Sequence, residues 1–399
     1  MPELSGYLRQ DGRKGIRNIV VVAYLVECAH HVAAEITLPL RENGVHLVGF
    51  PGCYPNAYAH RMMENISTHP NVGAVLLVSL GCESFARQEL AETIAASGRP
   101  VETLVIQENG GTRSTIENGR SWVKDVRAQL DTQERVPMGV EELVFGAICG
   151  GSDATSGLTA NPAIGNVFDI LVEQGATCIF EETGELIGCE QHLARRCVTP
   201  ELGDEVVASI DKARKCYETL GHGSFANGNA EGELTTQEEK SMGAYAKSGF
   251  GPLHGLIKPG DLPPGGGLYL LDVVPDGEVR FGFPNIVDNA EIGELIACGC
   301  HLILFSTGRG SVVGSAVSPV IKICGNPQTY EKLSDDMDLN AGAILTDNLT
   351  LPEVGKQLLA LAHETVNGTP TRSEGLCHQE FILTYKSFEP LGPSCLPGF

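Results

Sequence analysis

Four cysteines each lie within three residues of the end of an apolar run: Cys28, Cys53, Cys82 and Cys149. The runs cover residues 19–26, 45–50, 74–80 and 143–148. If these runs are parallel strands, their carboxyl ends meet at one edge of a sheet, where ligands bind. Converging thiolates favour iron, as a single ion or an iron–sulfur cluster, or zinc. The alternative is that Gly-Cys after a strand is a tight turn with a small side chain.

Two acidic stretches are candidates for acid–base chemistry or hydroxyl binding. Residues 181–185 (EETGE) end a predicted strand, and their carboxylates can act as a general base or contact hydroxyl groups. Residues 335–340 (DDMDLN) place three carboxylates in four positions, which suits a divalent metal or a polyol. The alternative for both stretches is that the acids begin helices and stabilise the helix dipole.

Two cationic, glycine-containing stretches are candidates for carboxylate binding. Residues 12–18 (GRKGIRN) precede the first predicted strand, and residues 306–311 (STGRGS) follow a later one. Backbone N–H groups and an Arg guanidinium in such a turn can hold a carboxylate at two points. The alternative is a plain loop with a solvated arginine. Neither stretch matches a nucleotide-binding pattern, so no nucleotide cofactor is expected.

The apolar runs alternate with segments of helical composition, which predicts an α/β fold with parallel sheets. In the first part the predicted helices cover residues 29–43, 57–68, 84–97 and 114–130, and a further strand covers 101–107. In the second part we expect helices at 162–174 and 185–197 and strands at 177–181, 267–273, 301–305 and 320–324. The prediction is two Rossmann-like three-layer domains with mainly parallel sheets, residues 1–135 and 136–399.

Composition restricts the classes of partner and the compartment. The 399 residues carry a formal net charge of −22, which disfavours binding to nucleic acid or to anionic membranes. No apolar run is long enough to span a bilayer, and no signal peptide precedes the first strand. Thirteen cysteines without a secretory signal indicate free thiols in a cytoplasmic protein.

Several long strings, in order along the chain, resemble the altronate dehydratase/galactarate dehydratase family. They cover residues 6–18, 69–83, 149–165, 181–190, 240–255, 305–311, 318–326 and 335–342. The resemblance implies removal of water from a sugar acid to give a 2-keto-3-deoxy acid, usually with iron. It gives these catalytic candidates: Glu182, Lys240, Arg309 and Asp336. The candidates for substrate binding are Arg17, Asn18, Asp153, Asn161, Lys247, Thr307, Lys322, Asn326 and Asp338.

The metal candidates Cys53, Cys82 and Cys149 lie in the short strings GC, GCE and CGGSD, which resemble those of the family, and Cys28 lies outside them. One-chain members of the family carry a small N-terminal domain, whereas this sequence reaches its first matched string at residue 6. It therefore resembles the large subunit of a split enzyme, with a separate small subunit and a homodimer of large subunits expected. Split members include (2R)-sulfolactate sulfo-lyases, which release sulfite and pyruvate, so this activity is the alternative. A second alternative is a non-catalytic scaffold or a metal or redox sensor.

Overall fold

The computed structural model describes residues 3–221, 227–277, 287–384 and 386. Their strands form two parallel sheets and one small antiparallel sheet. The strands are β1 (Leu4–Leu8), β2 (Lys14–Gly15), β3 (Ile19–Tyr24), β4 (Val45–Gly49), β5 (Val72–Ser79), β6 (Val101–Val105), β7 (Val136–Met138), β8 (Val144–Cys149), β9 (Thr177–Phe180), β10 (Leu253–Ile257), β11 (Gly267–Leu271), β12 (Leu302–Thr307), β13 (Val320–Cys324) and β14 (Leu339–Asn340).

The helices of the described residues include several that are long and several of a single turn. They are α1 (Glu27–Thr37), α2 (Ala57–Ser67), α3 (Arg87–Ala96), α4 (Thr112–Leu130), α5 (Ala154–Leu158), α6 (Ala160–Glu173), α7 (Glu190–Ala194), α8 (Pro200–Leu220), α9 (Asn227–Glu231), α10 (Gln237–Ala246), α11 (Asp288–Ala297), α12 (Pro327–Lys332), α13 (Ala343–Thr346), α14 (Leu351–Val366) and α15 (Arg372–Gly375). Short 3₁₀ segments cover Leu38–Asn43, Val140–Glu142 and Thr183–Leu186.

The two larger sheets consist entirely of parallel pairs. The first has the order β4-β3-β5-β6, and the second has the order β10-β11-β9-β8-β12-β13-β14. All eight residues of β5 and all six of β12 are buried, as expected for strands covered on both faces. The third sheet pairs β1 with β2 and β7 in antiparallel fashion. It thereby ties the start of the chain to the segment that enters the second parallel sheet.

Helices cover both faces of each parallel sheet. Helices α1 and α4 pack on one face of the first sheet, and α6, α8 and α14 pack on one face of the second. Between the two sheets, α2, α3 and α11 share one hydrophobic cluster that includes Val21 and Leu77 of the first sheet and Ile148 and Phe305 of the second. This shared cluster fixes the position of α11 beside the carboxyl end of β8.

The α/β class with parallel sheets is confirmed, and the predicted strands lie within two residues of those observed. The predicted helix at residues 29–43 is too long: α1 ends at Thr37 and a 3₁₀ segment follows, because Pro39 lacks a backbone donor. The predicted helix at 185–197 becomes a 3₁₀ turn and the short α7, because Gly188 between them has a φ of 93°, which is not helical. The division after residue 135 stays a prediction. No helix of the described residues is long and apolar enough to cross a membrane.

Candidate functional site

The site is built around Cys149, the last residue of β8. Its side chain points to the face of the sheet that α6 covers, because Phe145 and Ala147 pack there and side chains alternate along a strand. Cys149 is buried, and its Sγ lies 3.1 Å from a carboxylate oxygen of Glu182 and 3.2 Å from one of Glu185. The Nζ of Lys247 lies 3.1 Å from the same sulfur. One thiol, two carboxylates and one ammonium group therefore meet behind the end of β8.

Glu182 reaches Cys149 because the chain turns sharply after β9. Its φ of 80° lies in the left-handed region, which is unfavourable for a non-glycine residue and is often found at functional sites. The turn brings its Oε2 to the backbone N–H of Cys149 at 3.2 Å and into an ion pair with Lys247. The following 3₁₀ segment contains Glu185, whose Oε2 lies 3.2 Å from the same sulfur.

Both lysines of the site come from α10 and the residue after it. Lys240 lies within α10, and its Nζ is 2.7 Å from Glu185. Lys247 follows the last residue of α10, is 1% exposed, and lies 3.8 Å from Glu185. Asn161 of α6 donates a hydrogen bond of 2.9 Å to the carbonyl of Gly243, which holds α10 against α6. The position of this helix therefore sets the distance between the lysines and the glutamates.

The surroundings of the two glutamates shift their pKa values in opposite directions. Burial and the nearby Glu185 raise the pKa of Glu182 to about 8, against the opposing effect of Lys247. Burial also opposes ionisation of Glu185, but Lys240 and Lys247 outweigh it and lower its pKa to about 2. Burial, reinforced by Glu182 and Glu185, raises the pKa of Cys149 well above its ordinary value. Without a bound cation, Glu185 is thus an anion and Cys149 is a neutral thiol.

A cavity of about 360 Å³ opens beside this cluster. Its wall contains Cys149, Glu185 and Lys240 together with the polar residues Ser152, Asp153, Ser156, Asn161 and Glu239. The wall also contains apolar residues, among them Leu158, Leu234 and Met242. A small molecule with several hydroxyl groups can therefore find many hydrogen-bond partners there, and a carboxylate can reach one ammonium group.

The turn after β12 supports the edge of this cavity. Asp153 accepts hydrogen bonds from the backbone N–H groups of Thr155 and Ser156 and from the amide of Asn326 at 3.1 Å. Gly308 lies against its carboxylate so closely that a Cβ there would be 1.9 Å from Oδ1. The N–H of Arg309 donates to the carbonyl of Gly151 at 2.8 Å, and its guanidinium pairs with Glu231 at 3.1 Å. Thr307, Arg309 and Asn326 thus lie next to the turn that carries Asp153.

The donors around Cys149 suit a metal ion. Single ligand atoms from Cys149, Glu182 and Glu185 all lie within 4.8 Å of one another. A thiolate with two carboxylates is a mixed set that suits Fe²⁺ or Zn²⁺. Three donors also leave positions for water and substrate, as in catalytic metal sites. The residues therefore fit a single metal ion.

The other three predicted cysteine ligands lie apart from this set. Cys28, Cys53 and Cys82 are all exposed. The backbone N–H of Ser84 donates to the carbonyl of Cys53 at 2.9 Å, so the turns after β4 and β5 are neighbours. In the described part of the chain, these cysteines belong to no group of three converging ligands. Their role as ligands stays a prediction.

Five predicted site residues lie outside the cavity wall, outside the Cys149 cluster and away from the turn at Asp153: Arg17, Asn18, Lys322, Asp336 and Asp338. Arg17 pairs with Glu374 at 2.6 Å, and Asn18 bonds to Arg9 and to the carbonyl of Leu130. Both carboxylate oxygens of Asp338 accept backbone N–H groups, from Lys322 and Arg372. The Nζ of the buried Lys322 lies 3.5 Å from His378, and Asp336 is half-buried. The structure thus gives Arg17, Asn18 and Asp338 contacts that join segments of the chain.

Sequence reasoning did not identify Asp288, at the start of α11. The carboxylate of Asp288 lies against the backbone of Gly150, where a Cβ would be 2.1 Å from its Oδ2. Burial and the charge of Glu185 raise its pKa to about 6. The signal in the sequence is Asp288, Glu291 and Glu294 at intervals of three in an otherwise apolar helix. That spacing places the three acids along one side of α11, and Glu291 and Glu294 on this side are buried.

Comparison with known proteins finds two family profiles that match the chain. The profile for "D-galactarate/Altronate dehydratase, C-terminal" matches residues 140–388, and that for "D-galactarate dehydratase/Altronate hydrolase, second domain" matches residues 6–131.

The relatives are lyases. The (2R)-sulfolactate sulfo-lyase subunit beta of Chromohalobacter salexigens is 33% identical over 395 residues, which cover 95% of this chain and 96% of that protein. The galactarate dehydratase (L-threo-forming) of Escherichia coli is 30% identical over 91% of this chain and 72% of its own length. The altronate dehydratase of Escherichia coli is 28% identical over 93% of this chain and 75% of its own length. The chain thus belongs to the D-galactarate/altronate dehydratase family.

Proposed function

We propose that the chain is the large subunit of a hydro-lyase that removes water from a polyhydroxy acid and yields a 2-keto-3-deoxy acid. The observation that carries the proposal is the Cys149 cluster beside a cavity that Lys240 lines. This arrangement combines a metal-ligand set, ionisable groups with shifted pKa values and a polar pocket in a member of a dehydratase family.

The proposed metal is a single iron ion that Cys149 and Glu185 would hold, since both belong to the converging group of donors and both line the cavity. When bound, iron supplies a Lewis acid that polarises the substrate oxygens. One cysteine in the converging group supports a single ion over an iron–sulfur cluster, which is normally held by several thiolates. Cys28, Cys53 and Cys82 remain further candidate ligands.

The remaining chemistry is assigned to the lysine–glutamate pairs. Glu182, which forms an ion pair with Lys247, accepts the C2 proton of the substrate on its carboxylate. Lys240 lines the cavity and contacts Glu185 at 2.7 Å, so its ammonium group can stabilise the charge on the enediolate or protonate the departing hydroxyl. Each of these two groups has an oppositely charged partner: Lys247 for Glu182 and Glu185 for Lys240.

Substrate contacts are assigned first to the groups that line or support the cavity. Asp153 and Asn161 bind hydroxyl groups, and Thr307, Arg309 and Asn326 support the same edge. The wall contains three acidic side chains, Asp153, Glu185 and Glu239, and one lysine, Lys240. It therefore suits a sugar acid better than a substrate with both a carboxylate and a sulfonate, which would need more cations. Arg17, Asn18, Lys322, Asp336 and Asp338 come after these, since they belong neither to the cavity wall nor to the Cys149 cluster.

The second candidate function is a (2R)-sulfolactate sulfo-lyase large subunit, which would release sulfite and pyruvate. This candidate is favoured by the similarity to the (2R)-sulfolactate sulfo-lyase subunit beta, because the alignment covers 96% of that subunit. The two reactions share removal of the C2 proton and departure of a C3 substituent. They differ in the charge of the leaving group and therefore in the cations that the cavity must offer.

The assembly and the finer fold are also proposals. A separate small subunit is supported by the name of the subunit beta relative, and a homodimer of large subunits is proposed with it. A cytoplasmic location is supported by the twelve described cysteines, all of which are free. We further propose that each parallel sheet with its helices forms a Rossmann-like domain, with the division after residue 135.

The test is product analysis with protein purified without oxygen, alone and together with its small subunit. We expect 2-keto-3-deoxy acid from galactarate or altronate, with Fe²⁺ present and the small subunit added. Sulfite from (2R)-sulfolactate, without keto acid from the sugar acids, would instead establish the second candidate. Metal binding without turnover of any of the three substrates would contradict both and indicate a sensor or scaffold.

A further inference from the structure

Three buried glutamates converge on a second point behind the Cys149 cluster. They are Glu181, Glu182 and Glu291, and single carboxylate oxygens from the three lie within 4.8 Å of one another. Ile179 of β9 packs on the cluster that contains α11, so the alternation of side chains directs Glu181 to the same face. Glu291 comes from α11 and faces it. This group therefore lies on the opposite face of the sheet from Cys149, with Glu182 between the two groups.

Glu181 points to a missing ligand. It is 1% exposed, and neither of its carboxylate oxygens has a hydrogen-bond partner within the described residues. A buried carboxylate is normally paired or bound to a metal, because leaving it without a partner costs free energy. The nearby ammonium groups contact other acids: Lys247 pairs with Glu182, and Lys386 pairs with Glu294 at 2.8 Å.

The balance of charge in this region also favours a cation. Six carboxyl groups lie around the end of β9 and along α11: Glu181, Glu182, Glu185, Asp288, Glu291 and Glu294. Three lysines form ion pairs with members of this group: Lys240, Lys247 and Lys386. In the described part of the chain, acids thus outnumber the paired lysines by two to one. A buried region with this excess is stabilised by a bound cation.

We propose that Glu181, Glu182 and Glu291 bind a hard divalent cation of the Mg²⁺ or Mn²⁺ type, at a site separate from the one that contains Cys149. All three donors are carboxylates, the ligands that such ions prefer, and water completes their coordination. The Cys149 group differs, since it contains sulfur and therefore suits a softer ion. The proposal goes beyond the proposed function and does not depend on turnover.

The cation has a positioning role. It connects the end of β9 to α11 and holds Glu182, whose left-handed backbone conformation orients it toward Cys149. Glu182 belongs to both groups of donors, so occupancy of the second site affects the geometry of the first. Glu181 and Glu291 themselves are not part of the cavity wall.

The test is a titration with Mn²⁺ of chelator-treated, full-length protein, followed by the EPR signal of free Mn²⁺. The Cys149→Ser variant is the background, because it removes the sulfur site and leaves the three glutamates. In this background we expect Glu181→Gln and Glu291→Gln to weaken Mn²⁺ binding by at least about tenfold, since even the loss of a residue that only supports a ligand costs about 10- to 100-fold in affinity. Glu294→Gln is the matched control on the same helix, and its affinity should stay within about threefold of the background, since Glu294 pairs with Lys386.

A second readout separates loss of the ligand from loss of the fold. Mn²⁺ should raise the Tm of the Cys149→Ser protein, because it binds the folded state, and should not raise that of Glu181→Gln in the same background. Without metal, Glu181→Gln should be at least as stable as its background, because the substitution removes a buried carboxylate without a partner. Absence of Mn²⁺ binding by Cys149→Ser would overturn the proposal even if the glutamine variants do not fold. Equal Mn²⁺ affinity in the background, Glu181→Gln and Glu291→Gln would overturn it as well.

Discussion

At the scale of residues, the candidate site depends on one cysteine with three charged neighbours. Cys149 is buried between Glu182, Glu185 and Lys247, whereas Cys28, Cys53 and Cys82 are exposed. Its sulfur has a raised pKa without a cation, because burial and both glutamates disfavour the thiolate. A bound metal reverses this preference, since a coordinating thiol loses its proton. The occupancy of the site and the ionisation of Cys149 are therefore coupled.

We predict that Cys149→Ser lowers the iron bound per chain to well below half of the wild-type content, because it removes the only sulfur donor of the converging group. The measurement is the metal content of protein purified without oxygen, with acid-labile sulfide determined alongside. Cys82→Ser is the matched exposed variant. A comparable loss of iron in Cys82→Ser would extend the site to the exposed cysteines, and an unchanged content in Cys149→Ser would contradict the assignment.

Arg17 lies in a string that resembles the family, but the string does not reveal which residues Arg17 contacts. Its guanidinium pairs with Glu374 at 2.6 Å and contacts the carbonyl of Thr365, so it joins the start of the chain to α14 and α15. Burial opposes ionisation of Glu374, yet the hydrogen bond from Arg17 outweighs it and lowers its pKa. The sequence pattern cannot reveal this partner, because the two residues are 357 positions apart.

We predict that Glu374→Gln lowers the stability at pH 7 by about 1.5–3 kcal/mol, the usual contribution of a charged hydrogen bond. Because the pKa of Glu374 is lower in the folded state, the ion pair stabilises the protein above the ordinary value of 4.5 and this contribution is lost as the pH falls through the folded pKa. The difference in Tm between wild type and variant should therefore shrink below pH 4.5. Glu35→Gln, which disrupts the more exposed pair with Arg120, is the control. An equal difference at all pH values would contradict the role of the charge.

At the scale of elements, α10 determines the geometry of the site because it places both Lys240 and Lys247. It packs against α5 at Gly243, where a Cβ would lie 3.0 Å from the Cα of Gly157. The apolar runs predicted the strands well, since buried parallel strands are continuous in Val, Ile and Leu. The long helix α8 was missed because its buried face includes Gly203, Ser209 and Ala213, which give a weak apolar signal. Strand β1 was missed because its partner β7 lies far along the chain.

We predict that Gly243→Ala displaces α10 and lowers the activity at least tenfold, because the lysines move relative to the glutamates and small misplacements are costly in catalysis. The stability should fall by about 1–3 kcal/mol, as for other overpacked contacts. Gly375→Ala is the control, because nothing lies within 4 Å of a Cβ at that position. Turnover of the sugar acid and Tm are the measurements. Wild-type turnover in Gly243→Ala would show that the close approach of the two glycines does not set the site.

At the scale of the whole molecule, the two parallel sheets are joined by a shared hydrophobic cluster and by the buried Asn71. Asn71 accepts the backbone N–H of Ile16 at 2.9 Å and donates to the carbonyl of His301 at 3.1 Å. It therefore connects the segment before β3 with the start of β12. The sequence predicted an α/β class, a family and the region of Glu182 and Cys149. It did not predict Asp288, because that contact depends on how α11 packs between the sheets.

We predict that Asn71→Ala lowers the stability by roughly 1–3 kcal/mol or more, because each buried backbone group that loses its partner carries that cost. The measurement is Tm by circular dichroism, with Asn118→Ala as the control, since Asn118 makes an exposed hydrogen bond to Asn109. A fall in Tm no larger than that of the control would show that Asn71 does not join the two halves.

The most direct test of the account is the turnover of Lys247→Met, measured as 2-keto-3-deoxy acid formed by iron-loaded protein with its small subunit. Lys247 is fully buried and contacts both Cys149 and Glu182, so an active site at this cluster requires its ammonium group. We predict a loss of about 10²- to 10⁴-fold relative to wild type, the range expected for a group that transfers protons. Lys332→Met, on the exposed side of α12, should keep wild-type turnover. Wild-type turnover by folded, iron-loaded Lys247→Met would place the elimination elsewhere on the chain.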